Sequence, residues 1–108
     1  LSVRGSEGVR DVIYVGDAID AVLSLISMGQ TGVVNVGSGE AVSVRALTEK
    51  IRLATGFLGD VEFSEHGGGD GYRVPDTSFL CALGWAPSVD LDTGVKRTVA
   101  AAKEALDG

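Results

Sequence analysis

Two segments about sixty residues apart carry the side chains best suited to bind a phosphorylated ligand. In residues 10–17, Arg10 stands directly before a β-branched run that ends at Asp17. In residues 69–78, Arg73 again lies beside a short extended run that is followed by an Asp. An Asp in such a position is suited to begin a helix, so each arginine is expected beside a bend of the chain. Guanidinium groups bind phosphate oxygens in a fork geometry, so the two arginines predict a clamp for a diphosphate.

Each of these side chains also has an ordinary structural interpretation. Arg10 could be solvated, as most single arginines are, or paired with Asp11 or Asp17. Asp70 and Arg73 follow a glycine-rich stretch, where backbone can approach a ligand closely. A carboxylate there could accept both ribose hydroxyls and the guanidinium could reach a phosphate, but surface loops of this kind commonly carry solvated charges.

Other reactive residue types favour structural roles. His66 has no Ser, Cys or carboxylate at a motif spacing, and Cys81 is expected to be buried filler. Neither Tyr14 nor Tyr72 is followed by Lys at the fourth position. The Gly-Ser-Gly at residues 37–39 lacks a third glycine and predicts a structural turn, with Asn35 holding loop backbone.

Length and composition predict one domain. A chain of 108 residues with 44% hydrophobic residues can bury one small core. The net charge of -6 argues against nucleic-acid binding, which needs a basic face. One Cys and one His make neither a disulfide within the chain nor a structural zinc site, and they fit a reducing cytoplasm. No apolar run approaches the roughly 18 residues of a membrane helix, so no membrane partner is expected.

Strand and helix patterns follow the order β-α-β-α-β-α-α, which predicts a small mixed α/β fold. Strands are predicted at 11–15, 33–36 and 61–64. The run at 33–36 is more apolar than a small isolated sheet needs, so we expect it in a larger parallel sheet.

Caps and apolar periodicity predict the helices. The predicted N-caps are Asp17, Ser43, Asp76 and Asp90. The predicted C-terminal stops are Gly29, Gly56 and Gly84. The predicted core face of the first helix consists of Ile19, Val22, Leu23 and Ile26, and that of the last helix of Leu91, Val95, Val99, Ala102 and Leu106.

Three motifs together resemble a known family. Residues 10–17 read Arg-Asp-x-x-Tyr-Val-x-Asp, residues 34–39 read Val-Asn-Val-Gly-Ser-Gly, and residues 83–87 read Leu-Gly-Trp-x-Pro. This layout resembles the C-terminal, substrate-binding part of the extended short-chain dehydrogenases/reductases, the NAD-dependent nucleotide-sugar epimerases and dehydratases. The resemblance runs from about residue 9 to residue 105, and its most specific motif, Leu-Gly-Trp-x-Pro, carries no chemistry.

The resemblance implies roles for the three candidate substrate-binding residues. Arg10 occupies the position of the family arginine that contacts the sugar-nucleotide diphosphate. Asp70 corresponds to the family Asp near the ribose. A second family arginine is replaced here by Gly67, so one phosphate contact is missing or Arg73 supplies it.

The resemblance also implies chemistry for which this chain has no groups. Family enzymes transfer hydride to and from NAD or NADP, with a Tyr and a Lys managing the proton. These 108 residues contain neither a glycine-rich strand-turn-helix nor a Tyr-x-x-x-Lys pair. We therefore expect residues 1–108 to be a single domain or fragment without the dinucleotide-binding domain, with no cofactor of its own and no catalytic residue. The parent enzyme is expected to use NAD or NADP and a nucleotide sugar, in the cytoplasm, with a homodimer as one possible assembly.

Two alternatives from other classes stay open. The parent could be an atypical regulator that binds dinucleotide without turning over a sugar, as Gly67 suggests. The chain could also be an autonomous α/β module for protein contacts. NAD(P) binding without nucleotide-sugar binding would favour the first, and a monomeric, cooperatively folded chain would favour the second.

Overall fold

Five short strands and four helices alternate along the part of the chain that the structure describes. This computed structural model describes residues 1–65 and 71–107. The strands are β1 (Ser2–Arg4), β2 (Val9–Arg10), β3 (Val42–Ser43), β4 (Glu62–Ser64) and β5 (Tyr72–Arg73). The helices are α1 (Val15–Ser27), α2 (Val44–Thr55), α3 (Ser78–Ala82) and α4 (Leu91–Asp107). The mixed α/β class is confirmed, although the strands are shorter and more numerous than predicted.

The strands form two small sheets. β1 pairs with β4 in parallel, with Val3 opposite Phe63. In the second sheet β2 is central, antiparallel to β3 and parallel to β5. The parallel pairing of β2 with β5 brings the two predicted binding segments side by side. The prediction of a strand at 61–64 is confirmed by β4.

The predicted strand at 11–15 and the predicted N-cap at Asp17 are both wrong. Ladder pairing ends at Arg10, and α1 begins at Val15 with Tyr14 in the N-cap position. The apolar side chain of Ile13 packs against the core instead of continuing a strand. Asp17 therefore lies in the first turn of α1, where it is 5% exposed.

The run at residues 33–36 does not form a strand in the described structure. Val34 and Val36 pack against the core, whereas Val33 is 98% exposed. No described strand lies beside this run to complete a ladder. Its place in a larger parallel sheet stays a prediction.

Most predicted helix ends are found. The Ser43 hydroxyl accepts the N–H of Ala46 at 3.0 Å, and Oδ1 of Asp90 accepts the N–H of Thr93 at 2.7 Å. Gly56 closes α2 in the left-handed region, at φ +73°. The predicted N-cap at Asp76 is wrong by one residue, because Thr77 takes the N-cap position of α3.

The core is small and lies between α1, α3 and the turn after α3. Its buried members are Ala21, Leu80 and Trp85. The predicted core face of α1 is wrong, since all four of its side chains are exposed, Ile26 at 69%. Val95 of α4 is buried as predicted, but Leu106 is 87% exposed. Cys81, expected to be buried, is exposed as well.

Candidate functional site

Arg10 and Arg73 are direct neighbours across two parallel strands. Arg10 of β2 pairs in register with Arg73 of β5, next to the pair of Val9 and Tyr72. Residues paired across a ladder lie on the same face of a sheet, so both guanidinium groups belong to one face. Arg10 is half-buried and Arg73 is exposed. The structure thus brings together two of the three predicted binding residues.

The guanidinium of Arg10 lies against its own backbone. Its Nη1 donates to the carbonyl oxygen of Val9 at 2.9 Å. A methyl group at Gly8 would lie 3.3 Å from that nitrogen, so glycine gives the guanidinium its space. The predicted alternative pairing with Asp11 or Asp17 is wrong, because no ion pair of Arg10 occurs in the described part of the chain and both carboxylates bond elsewhere.

Asp11 bonds to the turn at residues 37–39. Its Oδ1 accepts the backbone N–H of Ser38 at 2.9 Å and the hydroxyl of Ser38 at 2.6 Å. Its Oδ2 accepts the N–H of Gly39 at 3.0 Å. These N–H groups could otherwise bind an external anion. The structural interpretation of this Gly-Ser-Gly turn is therefore confirmed.

The same loop contacts the chain that follows β5. The amide of Asn35 donates to the carbonyl of Asp76 at 3.2 Å, which confirms its predicted role in holding backbone. A side chain on Gly37 would lie 2.6 Å from Oδ2 of Asp11 and 3.1 Å from Cγ of Pro75. The loop is thus held between the residue after Arg10 and the residues soon after Arg73.

Two further carboxylates on α1 bind distant loops. Buried Asp17 accepts the N–H groups of Ser88 and Val89, at 3.2 and 3.0 Å. Asp20 accepts the indole N–H of Trp85 at 3.0 Å. Sequence reasoning missed both contacts, since no local signal connects residues that lie 65 to 72 positions apart.

Two exposed carboxylates have a lowered pKa. The hydroxyl and then the backbone N–H of Ser78 lower the pKa of Asp76 from its ordinary value. The backbone N–H and then the hydroxyl of Thr93 lower the pKa of Asp90. Each stabilises the first turn of a helix and is ionised at neutral pH, so neither is suited to act as a general acid.

Three predicted or considered residues lie outside the described residues. They are His66, Gly67 and Asp70. These residues are therefore not part of the site described above.

One mainly apolar groove is separate from the paired arginines. It has a volume of about 1240 Å³ and lies between α2 and α4, lined by Leu47, Ile51 and Val99 among others. Neither Arg10 nor Arg73 lines it. Its lining is mostly apolar, and its cations are Lys50, which pairs with Asp92, and Lys103, so the paired arginines are the better candidate for an anionic ligand.

The described residues contain neither a cluster of metal ligands nor a membrane-spanning helix. Over 1–65 and 71–107, no group of three or more His, Cys, Asp or Glu side chains could hold a metal ion. No helix in the same ranges has the length and apolar character to cross a membrane.

Comparison with known proteins places the chain among the extended short-chain dehydrogenases/reductases. No family model matches it. The proteins that it does match include a putative UDP-glucose 4-epimerase, a dTDP-4-dehydro-6-deoxyglucose reductase and GDP-L-fucose synthases, at 30 to 38% identity. The chain is therefore a member of this family, as the sequence motifs predicted, and it spans about one third of the length of the relatives that it matches.

Particular relatives make the match concrete. A putative UDP-glucose 4-epimerase of Methanocaldococcus jannaschii is 36% identical over 91 residues, 83% of this chain and 30% of that protein. UDP-glucose 4-epimerase of Thermus thermophilus, solved with NAD, is 30% identical with a TM-score of 0.78, over 93% of this chain and 34% of that one. UDP-glucose 4-epimerase of Thermotoga maritima, solved with UDP-glucose, is 29% identical with a TM-score of 0.83, over 98% of this chain and 35% of that one.

Proposed function

We propose that this chain is the nucleotide-sugar-binding lobe, at the C-terminal end, of an NAD(P)-dependent epimerase, reductase or dehydratase. Arg10 and Arg73 bind the diphosphate of the substrate in this proposal. The in-register pairing of these two arginines is the observation that carries it. Two guanidinium groups on one face of the sheet offer two fork-shaped sets of donors, which match the two phosphate groups of a diphosphate.

The proposed binding step exchanges one hydrogen bond of Arg10 for a stronger one. In this structure its Nη1 donates to the neutral carbonyl of Val9. On binding, the guanidinium turns from that carbonyl to phosphate oxygens, where hydrogen bonds are charge-assisted and about twice as strong. Asp70 is proposed to accept the ribose hydroxyls.

A nicotinamide cofactor would supply the hydride transfer in the whole protein. In this chain the amides of the glycine-containing turn at 37–39 are bonded to Asp11, so this turn does not fit the cofactor phosphates. We therefore propose that the cofactor and the catalytic groups belong to other parts of the protein. The contribution of this lobe is to bind and orient the nucleotide end of the sugar substrate.

Arg10→Ala is the direct test in the intact protein. Removing one charge-assisted hydrogen-bond donor to phosphate is expected to raise KM for the nucleotide sugar at least about tenfold. Steady-state kinetics on UDP-glucose, and on the corresponding dTDP- and GDP-sugars, measure this change. Arg52→Ala is the matched control, because Arg52 lies on α2 and pairs only loosely with Glu49, at 3.7 Å.

An unchanged KM in Arg10→Ala, beside an active wild type, would refute the assignment of Arg10.

A second candidate function is a regulator that binds dinucleotide but no sugar, favoured by Gly67 in the position of the family arginine. Binding of NAD or NADP with no binding of any nucleotide sugar would support this second candidate. Detectable epimerase or dehydratase turnover would exclude it.

The proposal extends to the whole protein. We propose a cytoplasmic enzyme that assembles as a homodimer and does not bind nucleic acid. Its net charge of -6 over this chain would repel a phosphate backbone except where paired arginines create a local cationic site.

A further inference from the structure

The loop at residues 35–39 connects the chain just beyond both arginines. Asp11, the residue after Arg10, accepts three hydrogen bonds from Ser38 and Gly39, at 2.6 to 3.0 Å. On the other side, Asn35 donates to the carbonyl of Asp76, three residues after Arg73. One loop therefore holds the two chain segments that follow the two arginines.

The sheet by itself holds the arginines weakly. β2 and β5 are two residues long each, and their ladder is correspondingly short. Short strand pairs are marginally stable in water without further packing. The separation of the two arginines therefore depends also on contacts that follow the strands, and the 35–39 loop contributes such contacts to both segments.

The fit between Asp11 and the loop is close. A side chain on Gly37 would come within 2.6 Å of Oδ2 of Asp11, so a larger residue there would displace the carboxylate. Both carboxylate oxygens accept backbone N–H groups, which Asn could not imitate, because its amide would present N–H to one of these donors.

We infer that Asp11 is a positioning residue, which sets the affinity for the diphosphate by holding the 35–39 loop and thereby the separation of Arg10 and Arg73. The inference rests on the proposed function of the two arginines. Asp11 does not itself contact the ligand. Its effect passes through Arg10, and the effect of Asn35 passes through Arg73.

The sign of the effect separates positioning from simple electrostatics. If the Asp11 carboxylate only weakened the positive potential near Arg10, then Asp11→Asn would make the protein bind phosphate more tightly. A carboxylate that positions Arg10 gives the opposite result, because Asp11→Asn releases the loop. Weaker diphosphate binding after loss of a negative charge therefore indicates positioning.

The experiment measures the dissociation constant for UDP, GDP and dTDP by calorimetry on the intact protein, using the tightest of the three as the probe. Asp11→Asn is expected to weaken binding about fivefold or more, the size of the coupling seen between residues in one hydrogen-bond network. In an Arg10→Ala background the same substitution should cause no further loss. Asp20→Asn is the matched control, since it removes the same charge while its amide oxygen can still accept the single indole N–H of Trp85.

Asn35→Ala keeps the test valid if Asp11→Asn fails to fold, because its hydrogen bond is exposed. It should weaken the binding of the diphosphate about twofold, with no further loss in an Arg73→Ala background.

Tighter binding by Asp11→Asn, or an equal loss with and without Arg10, would overturn the inference. Weak binding by Arg10→Ala beside unchanged binding by Asp11→Asn and Asn35→Ala would overturn it and leave the proposed function intact. No nucleoside diphosphate binding by the wild type, or unchanged binding by Arg10→Ala, would overturn both.

Discussion

Carboxylates that accept backbone N–H groups organise the turns of this chain. Each uses an oxygen that a catalytic acid or base would need. These residues are Asp11, Asp17, Asp76 and Asp90. Because their oxygens are bonded within the protein, the candidate site depends on cations, with Arg10 and Arg73 side by side.

The titration of Asp90 predicts how helix α4 responds to pH. Hydrogen bonds from Thr93 lower its pKa in the folded protein, so the ionised cap stabilises the fold above the unfolded pKa of about 3.9. That stabilisation is lost as the pH falls through the lower, folded pKa. Asp90→Ala should therefore lower the melting temperature by a few degrees near neutral pH, with the difference shrinking below about pH 4.

Thermal unfolding followed by circular dichroism across that pH range measures the effect. Asp90→Asn is the control, because Asn also caps helices but does not titrate there. It should retain most of the stability at neutral pH. A gap between wild type and Asp90→Ala that stayed constant to about pH 2 would contradict the account.

At the scale of elements, local signals predicted helix ends better than strands. Ser43, Asp90 and Gly56 act within one turn of their own position, so the sequence pattern alone identifies them. Strands need a partner, and the partner lies far away in the chain. The pairing of Val9 with Tyr72 leaves no mark in the local sequence.

The two wrong strands have the same physical cause. Residues 11–15 and 33–36 are rich in Val and Ile, which favours extended backbone, but no described strand lies beside them. The apolar side chains of Ile13 and Val36 pack against the core instead. Of the candidate site, the arginines were predicted from residue type and family resemblance. The part played by Asp11 required the fold, since its partners lie 27 and 28 residues away.

At the scale of the whole molecule, α1 is apolar on two sides. One side buries Ala21 in the core, and the other exposes Ile19, Val22, Leu23 and Ile26. A second apolar side on a helix indicates a surface that packs against another layer of protein. Together with a span of about one third of its relatives, this exposed face supports the proposal that another part of the protein covers α1.

The exposed face of α1 predicts opposite effects in two settings. In the 108-residue chain alone, Leu23→Glu with Ile26→Glu should reduce self-association and the fluorescence of a bound apolar dye. In the proposed whole enzyme, the same two substitutions should destabilise the fold by several kcal/mol, because two charges would be buried. Light scattering and urea unfolding measure the two effects.

Leu58→Glu is the control in both settings, since Leu58 is 98% exposed and lies in a loop. It should change neither property. A monomeric wild-type chain that binds no apolar dye would contradict the proposal and favour an autonomous module.

The most direct measurement compares how tightly the intact protein binds a nucleoside diphosphate and the corresponding nucleoside. Calorimetry with UDP and uridine, or with the GDP or dTDP pair if that diphosphate binds more tightly, isolates the contribution of the phosphates. We expect the wild type to prefer the diphosphate by about a hundredfold or more, and Arg10→Ala with Arg73→Ala to lose most of that preference. An equal preference in the wild type and the double variant would contradict the central claim that these two arginines bind the diphosphate.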